Sequence, residues 1–443
     1  MVASSATPGL LDRVTCPNCW AKFEPVETLW VASDHPSLAT DAKLGEGHPR
    51  RFVADLFDAA GNAIDARGET CIDLACPECH LPVPRACLEM PPLMLSVFGR
   101  PGSGKSYFLA AMIWELRRLM LPTFNLAFSD ADPALNAVIN ENIDSVFGRT
   151  DTGHERRLTE LIRKTQETGD QYRQVRQSGA IKQYLQPMLY TARPAAGHRL
   201  GQTAGGPRRR GAVSADREPG RVLCLYDNAG ESFLPGADRA SSPVTRHLAR
   251  SEALLFTFDP TQEKAFAERL RSEKAGGFAD FHSQERVLQE AAKRVRQLSE
   301  LRQTDLDPRP LIVVVTKSDA WEHQLDDRLL GDFWLPARSD RPGREFDTHA
   351  LNMTCIQTLS AATRTLLVKH CGEIVSAAES FSADVTYLPI SAVGRQTRLT
   401  DDTQDVAIRP EDTAPLNASL PALVAMAKSK SSNLIAAGRP KSR

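Results

Sequence analysis

The octapeptide Gly99-Arg100-Pro101-Gly102-Ser103-Gly104-Lys105-Ser106 follows the apolar run Leu93–Phe98 directly. A glycine-rich turn between a strand-like run and a helix-like stretch restricts the fold more than any other segment. Gly99, Gly102, Ser103 and Gly104 form a loop whose backbone N–H groups turn inward around a phosphate. The helix that opens at Lys105 adds its positive end. Lys105 supplies a point charge to β- and γ-phosphates, and the Ser106 hydroxyl is a ligand for Mg²⁺. A plain strand-to-helix turn would have the same composition, so the downstream sequence decides.

Two more boxes follow in order. Asp227-Asn228-Ala229-Gly230 comes after Val222–Tyr226, an apolar run of buried-strand length. Asp227 is placed to hold the Mg²⁺ shell through water, and Gly230 leaves room for a backbone N–H to reach the γ-phosphate. Such a contact ends on hydrolysis, which makes the loop a switch. Thr316-Lys317-Ser318-Asp319 comes after Leu311–Val315, the most strand-like segment of the chain. The Asp319 carboxylate can accept from N1–H and the 2-amino group of guanine, whereas adenine offers neither donor. The Lys317 stem can lie over the base. Ser391-Ala392, after Leu388-Pro389-Ile390, places a backbone N–H near the guanine O6. The three boxes imply a purine nucleotide, GTP.

With these residues in place, the chain resembles the translation-factor and Ras-like class of P-loop GTPases over roughly residues 93–260 and 305–400. Three departures stand out. Thr316 occupies a place where asparagine is commoner. Glu231 stands where Ras-like proteins carry the glutamine that orients the attacking water; a glutamate accepts from water but brings a charge beside the phosphate. The separation between Lys105 and Asp227 is also much larger than in a minimal domain of this class. Within that first insertion the resemblance calls for a switch threonine reaching Mg²⁺. Thr150, Thr152, Thr159, Thr165 and Thr168 are the candidates, and Thr165 in Arg163-Lys164-Thr165-Gln166 is the choice.

Near the N-terminus, Cys16-Pro17-Asn18-Cys19 and Cys76-Pro77-Glu78-Cys79 form two Cys-x-x-Cys knuckles. Four thiolates so spaced can close a structural Zn²⁺ site with no open position. Cys71, His80 and Cys87 lie close by in sequence and read as ordinary buried or surface residues. Knuckles, phosphate loop, Asp227–Glu231 and Thr316–Asp319 together resemble the double-GTPase-type proteins of bacteria. That resemblance implies a switch component of a multi-protein defence or conflict system, with protein effectors and an activating partner from the same gene system.

Composition agrees with a regulator of this kind. The chain has 443 residues and a formal net charge of −1, so it exerts no general attraction on nucleic acid or membrane. Arg208-Arg209-Arg210 reads as a solvated loop because no aromatic residues interleave with it. Nine cysteines, an odd number, point to a reducing, cytoplasmic setting with metal rather than disulfides. No apolar stretch approaches the roughly 20 residues that span a bilayer, and the first residues lack the pattern of a signal peptide.

The expected architecture is an α/β three-layer domain with a mostly parallel sheet, preceded by a small zinc-ribbon module. Residues 1–91 form the cysteine module, with a hairpin around Ala59–Asn62. Residues 92–427 form the nucleotide domain, with insertions at about 130–220 and 262–305; residues 428–443 read as a disordered basic tail. Helices are expected over 106–120, stopped by Pro122, over Pro133–Phe147, over Glu155–Thr168 and over 416–427. The second insertion reads as two helices broken at Gly276-Gly277, with Val287, Leu288, Ala291, Val295, Leu298 and Leu301 on a core-facing stripe. Two competing functions remain open: a nucleotide-binding scaffold that does not hydrolyse, and a zinc-ribbon nucleic-acid-binding protein with an accessory GTPase domain.

Overall fold

The computed structural model describes residues 9–148, 156–162, 171–177, 179–195, 198, 200, 220–228, 230–233, 245–270, 284–326, 331, 333–338, 345–395, 398–399, 406–429 and 431–438. Its centre is a seven-stranded sheet. The strands are β1 (Pro92–Gly99), β2 (Leu126–Asp130), β3 (Met188–Pro194), β4 (Arg221–Asp227), β5 (Ala253–Phe258), β6 (Asp307–Val315) and β7 (Ser382–Pro389). They lie in the order β2-β3-β4-β1-β5-β6-β7. Strands β4, β1, β5, β6 and β7 pair in parallel, and β3 runs against both of its neighbours. The unbroken apolar runs of β1, β4, β5 and β6 follow from this arrangement, since a parallel strand covered on both faces has no solvent side.

Helices α1 (Lys105–Phe124), α2 (Ala137–Phe147), α3 (Gln284–Leu298), α4 (Met353–His370), α5 (Gly372–Phe381) and α6 (Leu420–Lys428) pack around the sheet. The alternation along β4 shows what covers each face. Leu223 and Leu225 belong to the large helical core, together with Leu93, Leu95 and Val97 of β1. Val222, Cys224 and Tyr226 belong to a second core, whose other members include Cys16, Phe23, Cys76, Cys79 and Val83 of the cysteine module. The third layer over β3, β4 and β1 is therefore the cysteine module itself. A hairpin of Tyr172–Gln177 and Ala180–Leu185 joins it through Tyr172, Val175, Tyr184 and Leu185.

Several elements differ from the sequence reading. Helix α1 runs past Pro122 to Phe124. The missing proline N–H falls in the last turn, and the helix ends instead at Asn125, in the left-handed conformation, whose N–H bonds Leu121 O at 3.0 Å. Helix α2 starts at Ala137, not Pro133, because Asp132 holds a separate turn by accepting from Ala134 N at 2.9 Å. Asn136 at its cap bonds both backbone groups of Leu189, stitching the helix to β3. In the first insertion only Leu158–Leu161 is helical among the described residues of the expected helix at Glu155–Thr168, and the strand character near Tyr184–Tyr190 splits between the hairpin and β3.

Helix α3 buries Val287, Leu288, Ala291 and Val295 as the stripe requires, while Leu298 is exposed. The Gly276-Gly277 break and Arg208–Arg210 lie outside the described residues. The expected hairpin near Ala59–Asn62 is present as a turn in which Asp58 accepts from Ala60 N and Asn62 N, closed by the Phe57–Ala63 bridge. Residues 431–438 depart from the expected disordered tail. Leu434 and Ile435 are buried, and Ala436–Gly438 pairs in parallel with Ala350–Asn352. The apolar Leu434–Ala437 run carries this packing; the basic character of the surrounding tail obscures it.

Candidate functional site

The phosphate loop leaves β1 at Gly99 and enters α1 at Lys105, with Gly102 at φ 80° and Gly104 at φ 85°. Those values need glycine. A Cβ on Gly99 would stand 2.0 Å from Thr257 Oγ1. Gly230 has a similar constraint: a Cβ there would meet Pro101 Cδ at 2.5 Å and Gly99 O at 2.8 Å. Gly230 thus packs against the phosphate loop itself. Lys105 and Asp227 are both buried and form an ion pair, so the first two boxes meet directly. Ser106 lies half-buried in the first turn of α1.

The third box is tied to the first. Thr316 Oγ1 donates to Ser103 O at 2.8 Å and to Phe258 O at 3.2 Å. Threonine in place of the commoner asparagine therefore still bonds the phosphate loop. Lys317 is in the left-handed conformation at φ 56°, and its ammonium pairs with Asp259 Oδ2 at 2.6 Å. Asp319 is half-buried, and burial pushes its carboxyl above the usual range against an opposing hydrogen bond from Ser391. Ser391 in turn accepts from Gly394 N at 2.9 Å, and Ala392 beside it is half-buried. Ser318 N bonds Ile390 O at 3.0 Å, joining the third box to the Ser391-Ala392 turn.

Three residues that the sequence reading omitted complete this framework. Asp259 is fully buried at the end of β5 and accepts from Thr261 N, Thr261 Oγ1, Gln262 Nε2 and Lys317 Nζ. Gln262 also donates to Gly102 O at 2.7 Å and accepts from Arg100 at 3.0 Å. Thr257 bonds Ser103 Oγ at 2.8 Å. The available signal is Asp259-Pro260-Thr261-Gln262 directly after the apolar run Ala253–Phe258, at the end of a strand where ligands of such sheets bind.

The remaining candidates are less complete. Thr165 lies outside the described residues, as do Thr150, Thr152, Thr168 and Ala229. Thr159 sits in the short helix Leu158–Leu161, whose Leu158 carbonyl accepts from Tyr107 OH. Glu231 lies in the 3-10 turn Gly230–Phe233.

The two knuckles converge. Ligand atoms of Cys16, Cys19, Cys76 and Cys79 all lie within 4.8 Å of one another. Cys16 Sγ is 3.8 Å from Cys79 Sγ, and Cys19 Sγ is 3.7 Å from Cys76 Sγ. Sulfurs at the corners of a tetrahedron, each about 2.3 Å from a central ion, stand about 3.8 Å apart. The donor set therefore fits a soft, four-coordinate cation. Backbone N–H groups of Asn18 and Glu78 point at Cys16 Sγ and Cys76 Sγ, both at 3.3 Å, an arrangement that favours thiolates.

Burial raises the Cys16 thiol, whereas hydrogen bonds from Cys16, Cys19 and Cys79 hold Cys76 low. His80 turns away from the cluster to bond Asp41 at 2.9 Å. Asp41 also accepts from Lys43 N, Leu44 N and Arg51 N, and Lys43 reaches the Pro77 carbonyl, so this loop buttresses the second knuckle. Cys71 is buried on a separate strand pair and Cys87 in a short helix, where burial pushes its thiol up to about 12.

A family model described as Double-GTPase 2 matches residues 213–367, a span holding Asp227–Glu231, Asp259 and Thr316–Asp319 but not the phosphate loop. Among solved structures, the S. cerevisiae Ski7 GTPase-like domain bound to GTP is similar at 11% identity, with a TM-score of 0.22. That alignment covers 68% of this chain, which spans 43% of the Ski7 chain. No curated protein matches. No helix among the described residues is long and apolar enough to cross a membrane. Residues 213–367 thus match the Double-GTPase 2 model, within a mixed α/β fold that has a mostly parallel central sheet and a four-cysteine cluster near its N-terminus.

Proposed function

We propose that the chain is a GTP-binding switch that hydrolyses GTP slowly. The observation that carries this reading is the convergence of Lys105, Asp227 and Thr316 at the carboxyl ends of β1, β4 and β6. Gly99, Gly102, Ser103, Gly104 and Lys105 would hold the phosphates. Lys317, Asp319, Ser391 and Ala392 would select guanine. Ser106, Asp227 through water, and Thr165 would hold Mg²⁺, which offsets negative charge on the β- and γ-phosphates. On GTP entry Lys105 would exchange its Asp227 partner for phosphate oxygens, with Asp227 turning to the metal shell. Glu231 would accept from the attacking water without donating to phosphate, which favours a low intrinsic rate.

The cluster of Cys16, Cys19, Cys76 and Cys79 would hold structural Zn²⁺, whose role is to fix the two knuckles relative to each other. Effectors and an activating partner in a bacterial defence system follow from the family resemblance, while a cytoplasmic setting follows from the cysteine usage, which suits metal rather than disulfides. The test is the nucleotide that co-purifies with the protein, followed by single-turnover hydrolysis. GTP or GDP with measurable turnover supports the switch; bound GTP with no turnover supports the scaffold reading, for which Glu231 is the reason. Adenine nucleotide would overturn the assignment of Asp319.

A further inference from the structure

Tyr226 is fully buried one residue before Asp227, and strand alternation sends the two side chains to opposite faces of β4. Asp227 meets Lys105 on the nucleotide side. Tyr226 meets the first cysteine knuckle on the other. Its hydroxyl donates to Pro17 O at 2.5 Å and accepts from Trp20 Nε1 at 3.0 Å. Both partners belong to the Cys16–Trp20 turn, which Trp20 closes at φ 61° with its N–H on Cys16 O at 3.0 Å.

The tyrosine ring cannot slide away from this grip. It stacks on His247 with centroids 5.0 Å apart and 13° between planes. His247 Nδ1 is bonded to Ser96 Oγ at 2.6 Å, and Ser96 is the β1 residue in register with Tyr226. A second strut runs alongside. Tyr172 OH donates to Asn228 Oδ1 at 3.0 Å, immediately after Asp227. Its hairpin contacts the cysteine module through Arg176 N to Lys43 O at 2.7 Å and through Tyr184, whose ring lies 6.4 Å from Trp20.

We propose that Tyr226 is a positioning residue through which the first cysteine knuckle fixes the end of β4, so that the metal held by the four cysteines sets Mg²⁺-dependent GTP affinity. The inference rests on the nucleotide reading above. Its physical content is short-range: the groups that hold the tyrosine hydroxyl are the knuckle backbone and the residue that closes it. Without an ion between the sulfurs, Pro17 and Trp20 would lose their fixed geometry, and the carboxylate one residue from Tyr226 would lose its support.

The test uses the full-length, zinc-loaded protein. Fluorescent GTP and GDP are titrated with Mg²⁺ and in Mg²⁺-free buffer, for wild type, Tyr226→Phe and Trp20→Phe, before and after a zinc-selective chelator. Tyr226→Phe keeps the ring and should keep stoichiometric zinc. Its Mg²⁺-GTP affinity should fall roughly three- to tenfold, the scale of one hydrogen bond, with Mg²⁺-free GDP affinity unchanged. Trp20→Phe should act in the same direction. Chelation should weaken Mg²⁺-GTP binding by the wild type and add little to Tyr226→Phe. Equal losses with and without Mg²⁺, or the same chelator effect on wild type and Tyr226→Phe, would overturn the coupling. Failure of the wild type to bind GTP at all would overturn the nucleotide reading itself, a different result from normal wild-type binding with an unaltered variant.

Discussion

The two halves of the candidate nucleotide site are held in different ways. On the base side, the ends of β1, β5 and β6 tie to one another: Thr316 to Ser103, Thr257 to Ser103, Asp259 to Lys317, and Gln262 to Gly102. Every tie is internal to the central sheet and the loops at its strand ends. On the β4 side, Tyr226 and Asn228 are held from outside, by the cysteine knuckle and the insertion hairpin. With the nucleotide bound as proposed, base and β-phosphate would be gripped by groups tied to one another, while the groups proposed for the γ-phosphate side would answer to an added layer.

Substitutions can break or sharpen that contrast. The largest effect is expected from Asp319→Asn on the base side. GTP and GDP affinity should both fall, roughly a hundredfold or more, because the charged acceptor proposed to face the two guanine donors is lost. Xanthosine nucleotides should gain, and competition binding with XTP measures both. Unchanged GTP affinity with no XTP gain would remove Asp319 from base recognition.

Next in size is Asp259→Ala, which removes the hub between Lys317 and Gln262. Equal weakening of GTP and GDP, about tenfold, is expected with or without Mg²⁺, since neither partner touches the γ-phosphate side. Lys317 is about half exposed and can find water, so the stability loss should stay at about 1–2 kcal/mol, read by urea unfolding. A selective loss for GTP would contradict the division between the two halves.

The smallest effect concerns the cysteine layer. Burial pushes the Asp41 carboxyl up, but the hydrogen bond from His80 and the Lys43 and Leu44 amides outweigh it and hold the group well below the usual carboxylate range. Its folded pKa is depressed, so its contribution is present above the unfolded value of about 3.9 and is lost as pH falls through the folded one. Wild type should therefore lose zinc and stability on acidification below about pH 4 more steeply than Asp41→Asn, which has already lost this contribution. Parallel acid profiles for the two would show that the Asp41 loop does not support the knuckle.

How much is legible in the sequence depends on whether the chemistry is local. Gly102, Gly104, Lys105, Asp227 and Asp319 sit in short boxes at strand ends, and the four cysteines announce themselves as two four-residue knuckles, because each of these signals lies within a few residues even where the pieces meet only in the fold. Asp259 carries no such label: its importance comes from Lys317, far away in sequence and adjacent only after β5 and β6 pair. Tyr226 reads as one more apolar strand residue until the cysteine module is seen covering that face. The tail strand Ala436–Gly438 is hidden in the same way, by neighbours whose charge outweighs a short apolar run. The helix end at Phe124 is missed for a simpler reason: Pro122 stands only two residues before it, and the turn closes through Asn125 in the left-handed conformation.

Strand β4 is also clamped by segments that lie about two hundred residues from it on either side in sequence. Its first residue, Arg221, donates to the carbonyl of Ser431, and its penultimate residue, Tyr226, donates to that of Pro17. Contacts of such long sequence separation form slowly, because loop closure precedes any reward. During synthesis the knuckle can close early, but the strand bearing Asp227 stays unclamped at one end until residue 431 has emerged. Completion of β4 would thus lag behind closure of the knuckle, and chaperone dependence and aggregation should be raised in that interval.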